Sequence, residues 1–147
     1  MTSFISHTSV DCTDAFALSE WWKQVLGYVD IEGDPNEPGH EECMIRSAET
    51  GHHVLFIEVH AETGHHVLFI EVPDVKQVKN RLHFDLRPVD GTRDEEVARL
   101  VSIGATRVDD QREVRGDGTG WMVLADPEGN EFCVLRSDAE RGVAGTS

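Results

Sequence analysis

Residues 48–59 read AETGHHVLFIEV, and residues 61–72 read AETGHHVLFIEV again, with His60 between them. Ala48 to Ala61 sets a period of 13 residues, and the segment recurs once. Solenoids stack three or more repeats of roughly 20–50 residues, so that architecture is excluded. HHVLFIEV is rich in branched and aromatic residues and reads as a strand. Strand side chains alternate with period two, and 13 is odd. One straight strand through both copies would therefore set Leu55 and Leu68 on opposite faces. The intervening AETG favours a turn. One copy can fill a given strand position, and the other must loop out, add a strand at an edge, or pair with a second chain. Identical segments competing for one slot favour strand exchange, which predicts a homo-oligomer, at least a dimer.

The rest of the chain divides into two similar stretches. In the first, Phe4 to Val10 is a short β-prone run, followed by Asp11 and Thr13, good helix N-caps. Ala15, Leu18, Trp22 and Val25 recur at helical spacing, and Leu26-Gly27 supplies a stop, so a helix is predicted from about Asp14 to Leu26. Strands follow at Tyr28 to Ile31, at Glu42 to Ser47 beyond the loop GDPNEPG, and at HHVLFIEV. In the second, Arg81 to Pro88 alternates, with Leu82, Phe84 and Leu86 on one face and His83, Asp85 and Arg87 on the other. Thr92 and Glu95 form a capping box, and Val97, Leu100 and Val101 form a buried stripe that Gly104 ends. Thr106 to Asp109, Trp121 to Ala125 and Glu131 to Arg136 are further strands, the last two joined by DPEG. Each stretch is thus β-α-β-β-β. The fold class is α+β: two βαβββ modules forming a curled mixed sheet, a half-barrel cleft with helices outside. Module one covers about residues 3–72 and module two about 80–137 of a single domain. The core should hold Leu18, Val25, Leu82, Phe84, Leu86, Val97, Leu100, Phe132 and Val134.

Charge narrows the partners. Thirteen basic against 28 acidic residues leave a net charge of −15, which repels phosphate backbones and anionic membranes. A small-molecule ligand is the expected partner, with no nucleic acid and no membrane. Three cysteines at wide spacing with no CxxC pair argue against a disulfide framework and fit a reducing cytoplasm. The N-terminal residues show no secretory pattern, and no apolar stretch approaches the roughly 18 residues of a membrane helix.

Three motifs in order carry a family resemblance. SEWWKQVLGY (Ser19 to Tyr28) resembles the first-helix signature of glyoxalase, bleomycin-resistance and extradiol dioxygenase proteins, the vicinal-oxygen-chelate superfamily. ADPEGNEFCVL (Ala125 to Leu135) resembles their last hairpin, and Lys79 to Ala105 is similar to small actinobacterial glyoxalase-like domains. The resemblance implies metal ligands on the first and last strands of each module. His7 and His83 stand at the first-strand positions. The glutamate of metal-using relatives lies four residues after the glycine of the last turn, and that count from Gly129 reaches Cys133. Glu71, or Glu58 in the other copy, is the acid of the fourth strand. If the halves are superimposed on Gly64 and Gly129, Glu71 points away from the cleft by parity.

The metal set implied is therefore His7, His83, Glu71 and Cys133, around zinc, nickel, manganese or iron. Trp121, Asp85 and Arg87 are assigned to the ligand cleft. Three functions stay open: a divalent-metal lyase or isomerase acting on a vicinal-oxygen substrate, a metal-free antibiotic- or small-molecule-binding protein, and a self-association module driven by the duplicated strand. His52-His53 and His65-His66 read as surface histidines, because adjacent strand residues face opposite ways.

Overall fold

The structure, a computed structural model, describes residues 5–48 and 65–142. It forms two compact units that divide between Val75 and Lys76. Among the described residues there are two helices and eight strands, in the order β-α-β-β-β taken twice. No helix among them is long and apolar enough to cross a membrane.

In the first unit, β1 (Thr8–Cys12), α1 (Ala15–Leu26), β2 (Tyr28–Asp30), β3 (Glu42–Ser47) and β4 (His66–Glu71) build a sheet of order β1-β4-β3-β2. β1 and β4 run parallel and the other neighbours antiparallel, so the sheet is mixed. The α1 N-cap is Asp14, whose carboxylate accepts from the Ala17 N–H at 2.8 Å. Gly27 closes the helix at φ 66°, a left-handed conformation that a side chain disfavours. The face under α1 holds Cys12, Cys43, Ile45, Val67 and Phe69, packed with Ala15, Leu18, Trp21 and Trp22, all buried. Trp21 and Trp22 meet edge to face at 5.1 Å between ring centres.

The second copy of the repeat supplies β4, bonded to β3 on one side and β1 on the other. The first copy, HHVLFIEV at 52–59, lies outside the described residues, and so do all three expected fates for it.

In the second unit, β5 (Asp85–Leu86), α2 (Arg93–Ser102), β6 (Thr106–Asp110), β7 (Met122–Ala125) and β8 (Glu131–Val134) repeat the pattern as β5-β8-β7-β6. The Thr92/Glu95 capping box is present. Val97 and Leu100 of α2 lie over Phe132, Val134, Met122 and Leu124, all buried. The turn before β8 is tied by Asp126, only 2% exposed, whose carboxylate accepts from the backbone N–H groups of Glu128 and Asn130 and from the Asn130 side chain.

Several sequence expectations need correction. β1 starts at Thr8, and Ile5 to His7 of the expected run lie outside it. β5 is two residues long, because its parallel ladder with β8 engages only Asp85 and Leu86. Alternation across Arg81 to Pro88 therefore does not bury that run: Leu82 is 91% exposed, while Phe84 and Leu86 are half-buried. Val25 is also half-buried. Val101 stays at the margin because the α2 stripe runs through Arg93, Val97 and Leu100 at spacings of four and three.

Candidate functional site

The second sheet presents one face to α2 and the other to a cavity of about 480 Å³. Strand alternation sorts the residues: Phe132 and Val134 turn to the helix, while Glu131, Cys133 and Leu135 turn the other way. The parallel register sets Asp85 beside Cys133, and the antiparallel register sets Val123 on its other side, opposite Asp109. Trp121 and Gln111 continue that face and also line the cavity.

On this face His83, Asp85 and Cys133 converge. The His83 Nδ1 atom lies 3.8 Å from Cys133 Sγ and 3.1 Å from Asp85 Oδ1. One ligand atom from each residue lies within 4.8 Å of the other two. A relay that activates a nucleophilic cysteine turns one ring nitrogen to the thiol and the other to the acid. Here the same nitrogen faces both, which is convergence on a point. Burial first, then the Asp85 charge and hydrogen bond, push the Cys133 thiol up to about 11, with Lys79 pulling weakly the other way. That thiol is protonated at neutral pH and is no nucleophile on its own.

The donor set fits a divalent ion. Two donors on a tetrahedral zinc lie roughly 3.3–3.8 Å apart, from bond lengths of about 2.0–2.3 Å, and the separations of 3.8 and 3.1 Å fall within about 0.2 Å of that range. Three protein ligands leave a coordination position open, the pattern of catalytic rather than structural zinc. Other acids on this face are engaged: Glu131 accepts from Lys76 Nζ at 3.0 Å and from the Asn80 N–H at 2.9 Å. Burial raises the Glu131 pKa, but those two bonds outweigh it and leave the group below its ordinary value.

The sequence-derived residues land as follows. His83 and Cys133 come together, and Asp85, assigned to ligand contact, joins them as a third donor. Trp121 lines the cavity; Arg87 does not, and its guanidinium donates to the Arg136 carbonyl. Glu71 lies on the α1 side of the first sheet, where its Oε1 accepts from the Ala15 N–H at 3.2 Å. That carboxylate serves a helix N-terminus. His7 is exposed just before β1, with Nδ1 3.2 Å from Ser6 Oγ. Sequence reasoning missed Lys79, Asp109, Gln111 and Arg115 as cavity residues, since three of them lie at the end of β6 and in the irregular segment after it, where no periodicity shows a facing direction.

The sequence profile of the glyoxalase-like domain matches residues 7–135. No curated protein matches the sequence. Solved structures resemble it in fold. The fosfomycin resistance protein FosX from Listeria monocytogenes, in a complex with Mn(II) and 1S,2S-dihydroxypropylphosphonic acid, is 16% identical, with a TM-score of 0.62 over 98% of both chains. A possible glyoxalase from Bacillus cereus is 14% identical, with a TM-score of 0.57 over 91% of this chain and 99% of that one. A glyoxalase/bleomycin resistance/dioxygenase family enzyme from Burkholderia phytofirmans PsJN is 18% identical, with a TM-score of 0.54 over 88% of this chain and 94% of that one.

Proposed function

The chain belongs to the glyoxalase-like domain family of the vicinal-oxygen-chelate superfamily, and from that premise we propose that it is a metal-assisted lyase or isomerase acting on a small substrate with adjacent oxygens. The carrying observation is the convergence of His83, Asp85 and Cys133 within 4.8 Å on the wall of a cavity. The Mn(II) held by the Listeria FosX supports a metal-dependent reading.

His83, Asp85 and Cys133 would hold the ion. A bound divalent ion supplies Lewis-acid stabilisation of oxyanion charge. The chain's own residues do the rest. Trp121, Val123 and Leu135 form an apolar wall for the substrate body. Lys79 and Arg115 bring positive charge to the lining of a protein with net charge −15, which favours an anionic or strongly polarised substrate. Asp109 lines the same cavity; its carboxylate accepts from the Gln111 side chain and the Asp110 N–H but meets no cation among the described residues and lies outside the donor cluster, and it is the proton acceptor in this reading. A cytoplasmic setting belongs to the same reading, because Cys12, Cys43 and Cys133 are all free thiols.

The test is metal content of protein purified without a histidine tag, then metal-stripped and titrated. One ion per chain is expected in the wild type, with His83→Ala losing it. His7→Ala should weaken binding about tenfold if His7 is a ligand. Failure of zinc, nickel, manganese and iron all to bind would turn the reading to a metal-free binding pocket.

A further inference from the structure

Resting on the metal reading of this site, we propose that Cys133 binds as a thiolate and makes the centre selective for thiophilic ions, Zn2+ or Co2+, against the hard ions Mn2+ and Mg2+.

The donors that the cavity can give decide which ion it suits. Mn2+ and Mg2+ favour carboxylate, carbonyl and water oxygens, whereas thiolate selects zinc and its neighbours. Of the cavity carboxylates, Glu131 is committed to Lys76 and Asn80. Asp109 is committed to the Gln111 side chain at 2.5 Å and to the Asp110 N–H at 2.9 Å. Asp85 is the one carboxylate in the cluster, so a hard ion there would find a single protein oxygen ligand beside one nitrogen and one sulfur. That set is poor for Mn2+ and good for Zn2+.

The sulfur is also well placed to be a ligand. Cys133 sits in β8, flanked by β5 and β7, with backbone pairing on both sides. It is 7% exposed, so its Sγ is held by the sheet and not free to swing into solvent. Its neighbour Asp85 is its direct register partner, and His83 is two residues further along the same face. The thiol is therefore held by β8, paired on both sides, at the point where the imidazole and the carboxylate also converge. A thiol held beside a carboxylate with no ion between them has poor chemistry of its own; with an ion it becomes a full ligand.

The experiment is titration of the metal-stripped, tag-free protein with Co2+, followed by absorption. A near-ultraviolet thiolate-to-cobalt charge-transfer band should rise to one ion per chain. Zn2+ should bleach it, and Mn2+ or Mg2+ in large excess should not. Cys133→Ser should lose the band and weaken Zn2+ binding by about tenfold or more, while Cys133→Glu should gain Mn2+ affinity. Circular dichroism confirms that each variant is folded, and the wild-type band and competition stand without the variants. Cobalt bound with no thiolate band, or Mn2+ competing equally with Zn2+, overturns the selectivity and leaves the metal reading standing. No binding of any of the four ions overturns both.

Discussion

Gly120 joins the 111–120 segment to β7 and has no space for a side chain. A Cβ there would lie 1.8 Å from the Gln111 carbonyl oxygen, 2.8 Å from its carbon and 2.9 Å from the Arg112 oxygen. All three are backbone atoms, so no rotamer change relieves the clash. Reaching even 3.0 Å requires the two strands of chain to part by about 1.2 Å (3.0 − 1.8). That movement breaks the Gly120 N–H to Arg112 bond and the Gln111 N–H to Trp121 bond, both 3.0 Å. It also displaces the Gly120 carbonyl from Arg93 Nη1, 2.9 Å away and buried. At about 1 kcal/mol for each backbone bond and about 2 kcal/mol for the charged one, Gly120→Ala costs about 4 kcal/mol. For a unit of this size each kcal/mol moves Tm by roughly 4–8 °C, so a fall of roughly 15–30 °C is expected in a thermal melt followed by circular dichroism. Gly116→Ala is the control in the same segment: its φ is +73° with nothing within 4 Å, so only conformational strain of about 1–2 kcal/mol applies. A Gly120→Ala melt that falls no further than the Gly116→Ala melt refutes the steric reasoning.

Three further outcomes follow from the same structure. Deleting residues 48–60 joins Ser47 to Ala61 and leaves Ala61-Glu62-Thr63-Gly64 between Ser47 and His65, whose backbones already bond at 3.0 Å. Shortening that connection from 17 residues to four favours folding by about 1 kcal/mol, so the variant should keep its circular dichroism spectrum and lower its solution mass if the extra copy drives association; an unfolded variant defeats this. Glu71→Gln should lower stability by about 0.3–1 kcal/mol through the α1 N-terminus, read by urea melts, and leave zinc affinity unchanged; lost zinc affinity would make Glu71 a ligand. His65 is held below its ordinary value of 6.5, by burial first and the His66 charge second. The unfolded chain then takes up the proton first, so stability is complete above pH 6.5 and declines as pH falls through it. His65 also meets Tyr28 OH at 2.9 Å, and His65→Gln should flatten the urea midpoint between about pH 7.5 and 5.5 relative to wild type.

Much of this molecule was legible because its signals are local. The Thr92/Glu95 capping box, the Leu26-Gly27 stop and the DPEG turn each rest on a few adjacent residues whose chemistry fixes their backbone. The errors lie where a partner decides. Leu82 alternates correctly with Phe84, yet alternation buries a residue only where a second strand pairs with it, and the pairing with β8 begins at the Phe84 carbonyl, past Leu82. Parity could not say what Glu71 would bind, and the structure gives its carboxylate the α1 N-terminus.

The site shows the same division more sharply. His83 and Cys133 were found separately, one by its place in the first strand of the second module and one by counting from Gly129. Neither signal contained Asp85 as a ligand, because the alternation His83-x-Asp85 says only that both residues share a face. What adds Asp85 is the parallel register that sets it directly across from Cys133. That register depends on β8 lying between β5 and β7, a pairing of residues about 50 positions apart along the chain. In the proposed metal centre, Cys133 at the position where the resemblance implies a glutamate does not leave the donor set without oxygen, because the neighbouring strand sets the Asp85 carboxylate beside it.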